Sequence, residues 1–83
     1  MDTRIAEYMI TIQEERSLTK AASRLFITQS ALNQQLKKLE QELGMPLFQR
    51  GKQGLTLTDA GKIYIASERA FLQVKEQIGR AHV

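Results

Sequence analysis

Ser17-Leu18-Thr19-Lys20-Ala21-Ala22-Ser23-Arg24-Leu25-Phe26-Ile27-Thr28-Gln29-Ser30-Ala31-Leu32 is the stretch whose reading decides the fold. Ser17 is a good helix N-cap, because its hydroxyl can accept from a free backbone N–H of the first turn. Leu18, Ala21, Ala22 and Leu25 then recur at i, i+3, i+4 and i+7, one face of a short amphipathic helix. Adjacent alanines suit a close helix crossing. Thr28 can cap a second, longer helix from Gln29 to about Leu43. Leu32, Leu36, Leu39 and Leu43 form its apolar stripe, and Ser30, Asn33, Gln34, Lys37 and Gln41 fall on the other side. Phe26 and Ile27 in so short a connection predict a tight, buried turn. A short helix, a tight turn and a longer helix with a polar outer face are the parts of a helix-turn-helix.

Upstream, Ile5, Tyr8, Met9 and Ile12 repeat the same spacing, so a helix is predicted from about Asp2 to Glu14, capped by Asp2 or Thr3. Downstream, Gly44 supplies a helix end and Pro46 forbids continuation. Leu47-Phe48-Gln49-Arg50 and Leu55-Thr56-Leu57 then read as two short strands around Gly51-Lys52-Gln53-Gly54, a small β-hairpin. Thr58 and Asp59 open a last helix that reaches about Gln77. Its Tyr64, Ser67, Phe71, Val74 and Ile78 are spaced 3, 4, 3, 4, a heptad seam. Ile63 and Tyr64 are expected to pack on their own domain, and the distal half to pair with a second copy. The fold class is therefore mainly α, with a β-hairpin and a long C-terminal helix, divided at 1–58 and 59–83.

Composition narrows what such a fold can do. With 83 residues there is room for one small domain. There is no cysteine, which removes disulfides, zinc–thiolate sites and thiol nucleophiles and favours a reducing, cytoplasmic setting. No apolar run approaches membrane-spanning length, and the first residues do not read as a secretory signal. The only histidine, His82, lies beside the C-terminus, where no catalytic triad can be built around it. Glu40 and Glu42 point to different sides of a helix, and Glu14 and Glu15 are expected to be solvated. No catalytic, metal-binding or cofactor-binding residues are therefore expected. Gly51-x-x-Gly54 reads better as a hairpin turn than as the backbone-clamping loop of an RNA binder, because such a loop joins helices and these flanks read as strands.

Charge and side-chain chemistry point elsewhere. Residues 1–16 hold two bases and four acids, net −2, whereas residues 17–57 hold six bases and two acids, net +4. That excess favours a polyanionic partner. Gln29, Ser30, Asn33, Gln34 and Lys37 carry donors that can reach into a groove. Asn and Gln amides can pair bidentately with adenine, and Lys37 can reach a phosphate or a guanine edge. A merely solvated face would more often be rich in Glu/Lys pairs.

These residues also match a family. Ser17-Leu18-Thr19-Lys20-Ala21-Ala22, Leu25, Gln29, Ala31-Leu32, Leu39-Glu40, Leu43-Gly44, Pro46-Leu47-Phe48, Arg50, Leu57-Thr58 and Ala60-Gly61 resemble the N-terminal domain of LysR-type transcriptional regulators. The resemblance covers about residues 5 to 75. It implies a winged helix-turn-helix that binds double-stranded operator DNA as a homodimer through a linker helix. It also implies a C-terminal domain, absent from these 83 residues, through which a small-molecule effector acts. Carried over by position, it marks Gln29, Ser30, Asn33 and Gln34 as base readers. Thr19, Thr28 and Lys37 become backbone contacts, and Arg50 a phosphate contact in the wing with Lys52 beside it. Ser30, Asn33 and Gln34 stand where the family commonly has proline, serine and arginine, which leaves the operator sequence open. The similar domain of molybdate-responsive regulators fits the Leu47–Arg50 segment less well. A winged helix that binds only protein is the alternative of another class.

Overall fold

A computed structural model describes the backbone of residues 3–81 and their side chains except at 71 and 75–81. Four helices and one hairpin follow in the order α1 (Thr3–Glu15), α2 (Leu18–Leu25), α3 (Gln29–Leu43), β1 (Phe48–Gly51), β2 (Gly54–Leu57) and α4 (Asp59–Ala81). The strands pair antiparallel with Phe48 opposite Leu57 and Arg50 opposite Leu55. This is the mainly helical, winged architecture expected. The turn is tighter than expected, since only Lys52 and Gln53 lie between the strands. Leu47 precedes β1 and is fully buried.

The predicted caps form. Ser17 Oγ accepts from Lys20 N at 3.2 Å and Thr28 Oγ1 from Ala31 N at 3.0 Å. Thr58 Oγ1 accepts from Gly61 N at 3.0 Å and donates to the Pro46 carbonyl at 2.7 Å, so one hydroxyl starts α4 and ties it to the root of the hairpin. Thr3 lies inside α1 and is not its cap, and Asp2 lies outside the described residues. Gly44 ends α3 at φ +76°.

Met9 and Ile12 from α1, Ala21 and Ala22 from α2, Leu32 and Leu36 from α3, Leu47, and Ile65 from α4 make one core. Each belongs to a side-chain stripe or segment that meets the others where the helices cross. Burying a Leu or Ile in such a core is worth about 1.5–3 kcal/mol. Ile65 lies beyond residue 58, so the first turns of α4 share this core. Two glycines set the spacing behind the hairpin. A Cβ on Gly61 would lie 2.0 Å from the Leu47 carbonyl oxygen, and one on Gly54 would lie 2.5 Å from that of Arg16. At Gly54 the φ of +99° adds a second reason for glycine.

Three expectations are corrected. The connection at Phe26-Ile27-Thr28 is tight but not buried at Phe26, which is 94% exposed. Phe26 ends α2 with φ +58°, and its N–H reaches back to Ser23 O at 3.2 Å. That left-handed cap turns its side chain outward, while half-buried Ile27 packs on the core. Leu43 is 44% exposed, because the last turn of α3 runs past the core. Ile63 is 69% exposed, and Ile65 holds that end of α4 to the domain instead.

Candidate nucleic-acid interface

Thr28 caps α3 so that its first turns stand at the edge of the domain, beside the hairpin wing. Gln29, Ser30, Gln34 and Lys37 are exposed and Asn33 is half-buried. Between α3 and β1 runs an open cleft of about 660 Å³, lined by Gln29, Ser30, Asn33, Lys37, Glu40 and Arg50 among others. A smaller recess of about 290 Å³ joins Thr19, Gln29 and Arg50. The fold thus gathers Thr19, Gln29, Ser30, Asn33, Lys37 and Arg50 around neighbouring openings. Thr28, Gln34 and Lys52 are exposed but line neither; Lys52 lies in the wing turn.

Two of these side chains are bonded to each other. Thr19 Oγ1 donates to Gln29 Oε1 at 2.8 Å. The Thr28 hydroxyl accepts from Ala31 N and keeps its own proton available for a phosphate. Lys37 Nζ stands 3.5 Å from Glu40 Oε1. The contact is long and the lysine end is exposed, so a phosphate can compete for the ammonium.

Glu40 is the residue that sequence reasoning missed. Its side chain is 11% exposed, and Oε2 accepts from the backbone N–H of Leu47 at 2.7 Å. That charge-assisted bond ties the root of the wing to α3 beside the cleft. Its place beside Leu39 in the family resemblance is the only sequence signal, and it does not name Leu47. The Arg16 carbonyl plays a matching part at the other end, accepting from Leu55 N at 2.9 Å.

Glu14 and Glu15 are not simply solvated, contrary to expectation. Arg24 pairs with Glu14 at 2.8 Å and with Glu15 at 3.1 Å, and Arg69 of α4 reaches Glu14 at 3.2 Å. Arg69 also donates to Gln13 Oε1 at 3.2 Å. Arg24's hydrogen bond is the largest influence holding the Glu14 carboxyl below its ordinary pKa; partial burial opposes it and Arg69 assists. Two acids of the net −2 segment, Glu14 and Glu15, are thus matched by bases from α2 and α4.

Along α4, Ile63, Ser67, Ala70 and Val74 are exposed, on the side away from Ile65. Half-buried Tyr64 packs against its own core, and burial followed by the nearby Glu68 charge pushes its phenol up to about 12. Of the seam read from the sequence, Ser67 and Val74 are exposed, while the side chains of Phe71 and Ile78 lie outside the described residues. Among the described residues no cluster of acids and histidine could hold a metal ion, and no helix is long and apolar enough to cross a membrane.

Residues 4–62 match the family described as bacterial regulatory helix-turn-helix protein, lysR family. The chain is 47% identical over 77 residues to the nitrogen assimilation regulatory protein nac of Escherichia coli, covering 93% of this chain and 25% of that one. It is 40% identical over 80 residues to the HTH-type transcriptional regulator YcgK of Bacillus subtilis, again 25% of that protein. The chain therefore spans about a quarter of the length of either relative. The crystal structure of the BenM DNA-binding domain with catB site 1 DNA superposes with a TM-score of 0.87 at 33% identity, covering 99% of this chain and 92% of that one.

Proposed function

The chain belongs to the lysR family of bacterial regulatory helix-turn-helix proteins, and on that premise we propose that it is the sequence-specific DNA-binding domain of a transcriptional regulator. One observation carries the mechanism: Gln29, Ser30 and Asn33 of α3 and the wing's Arg50 line a single cleft. A helix of this kind enters the major groove with its N-terminal residues against the base edges. Gln29, Ser30, Asn33 and Gln34 read bases. Thr28, Lys37, Arg50 and Lys52 hold phosphates and so fix the register without reading sequence. The likeness to a domain solved on DNA supports this assignment.

The regulator works as a dimer through α4. The 23 residues of α4 extend about 34 Å. Its exposed stripe of Ile63, Ser67, Ala70 and Val74 is apolar or small and faces away from the core, which supports a helix pair there. A two-fold dimer would set two recognition helices on half-sites about one helical turn apart or a multiple of it. The regulator acts in the cytoplasm, and a small-molecule effector acts through a further domain of the longer protein, for which the relatives' length leaves room.

The test is binding to random duplex DNA across a salt series, followed by selection from a random pool. The log of the binding constant should fall with log salt at about 0.9 per phosphate neutralised, and one sequence class should be enriched. Salt-independent binding, or none, would return the domain to the protein-binding reading.

A further inference from the structure

Resting on the reading above, we propose that Thr19 fixes the polarity of the Gln29 amide, so that Gln29 turns its donors to an acceptor edge, guanine O6/N7 or thymine O4, and does not pair bidentately with adenine. Thr19 is the second residue of α2 and Gln29 the first of α3, and the Thr19 hydroxyl donates to Gln29 Oε1 at 2.8 Å. A hydroxyl has one proton to give. While that proton serves Gln29, Thr19 cannot donate to a phosphate, and its role becomes positioning and not backbone contact.

The consequence for readout follows from the amide's chemistry. Adenine offers a donor, its N6–H, beside the acceptor N7, so bidentate pairing needs both the oxygen and the NH2 of the amide turned to the base. Here the oxygen is tied to α2, and the two N–H donors of the NH2 group remain for the groove. Donors alone match guanine O6 and N7 or thymine O4, and adenine only singly, through N7. Arg50 lines the same recess as Thr19 and Gln29, and a cation on that side also favours the oxygen turned inward. The Thr19 bond and the charge of Arg50 in the same recess favour the same orientation of the amide.

Selection from a random duplex pool, run with the wild-type chain and with Gln29→Ala, locates the base pair that Gln29 reads as the one whose preference disappears. At that pair the wild type should enrich G·C, or else an A·T pair that tolerates replacement of adenine by purine, which lacks the N6 amino group. Thr19→Val, of similar volume but without the hydroxyl, should shift preference toward an adenine sensitive to that replacement by about tenfold, with the other positions unchanged. Thr19→Ser should restore the wild-type preference. Unchanged melting temperatures would show that each variant folds. Three results would overturn the inference. The first is a wild-type adenine sensitive to loss of N6. The second is a Thr19→Val variant that binds all sequences more weakly with its base preference intact, the mark of a phosphate contact. In the third, the wild type enriches no sequence at all, which defeats the DNA-binding reading as well; the other two leave that reading standing.

Discussion

Two regions of the molecule treat their charges in opposite ways. At the junction of α1, α2 and α4, Glu14 and Glu15 are closed off by Arg24 and Arg69. Along the cleft between α3 and the wing, the donors of Ser30, Asn33 and Arg50 face an open space. Net charge by segment hides this contrast. Arg24 belongs to the basic middle of the sequence yet serves the acids of α1, so the bases left for a polyanion are Lys37, Arg50 and Lys52 on the cleft and wing, with Lys20 and Lys38 nearby in sequence. The junction pairs its charges within the domain; the cleft leaves its donors open to a partner on the reading proposed above. Changes at the first should move stability, and changes at the second should move binding.

The largest effect is expected at the backbone beneath both regions. Gly61→Ala would drive a methyl into the Leu47 carbonyl and should cost about 3 kcal/mol of stability by overpacking, read as a lower urea midpoint. Gly44→Ala, where a Cβ meets nothing within 4 Å, should cost only about 1 kcal/mol, from its positive φ. Equal losses would show that the root of the wing is looser than the structure has it.

Next comes the cleft. Asn33→Ala should lose about 1–3 kcal/mol on the preferred operator and little on random duplex, with the urea midpoint nearly unchanged. Equal losses on both DNAs would mean that Asn33 does not read a base. Arg50→Ala should weaken both DNAs alike and lower the salt slope by about one unit. A collapse on one sequence alone would make Arg50 a base reader.

The parts of this contrast were unequally legible in the sequence. The helices, their serine and threonine caps and the two strands were legible because period and capping are local. So was the polar face of α3. The exposure of Phe26 was not, because hydropathy gives no sign that a left-handed cap will turn a large side chain outward. Glu40 and Gly61 act on Leu47 through space, and no pattern within their own helices names that partner. On α4 the apolar residues cover more than one face. Only the docking of Ile65 and Gly61 decides that Tyr64 turns inward and Ile63 outward. The Thr19–Gln29 bond spans a helix crossing, and the family resemblance assigned those two side chains separate tasks.

The smallest effect concerns acid. The Glu14 carboxyl, held by Arg24, titrates below its ordinary value of 4.5 in the folded chain. Its contribution is therefore present above about pH 4.5 and is lost as pH falls through the depressed folded value. Glu14→Gln should flatten that part of the stability profile in acid and leave operator affinity at neutral pH unchanged. A loss of operator binding would mean that junction and cleft are coupled through α2.

The contrast itself is tested most directly by titrating the ¹⁵N-labelled chain with its selected operator and following the backbone amides. The account predicts that amides of residues 28–37 and 49–53 shift, while those of 13–15 and the Arg69 side chain stay in place. Shifts concentrated at Glu14, Arg24 and Arg69, with residues 29–37 unmoved, would contradict it.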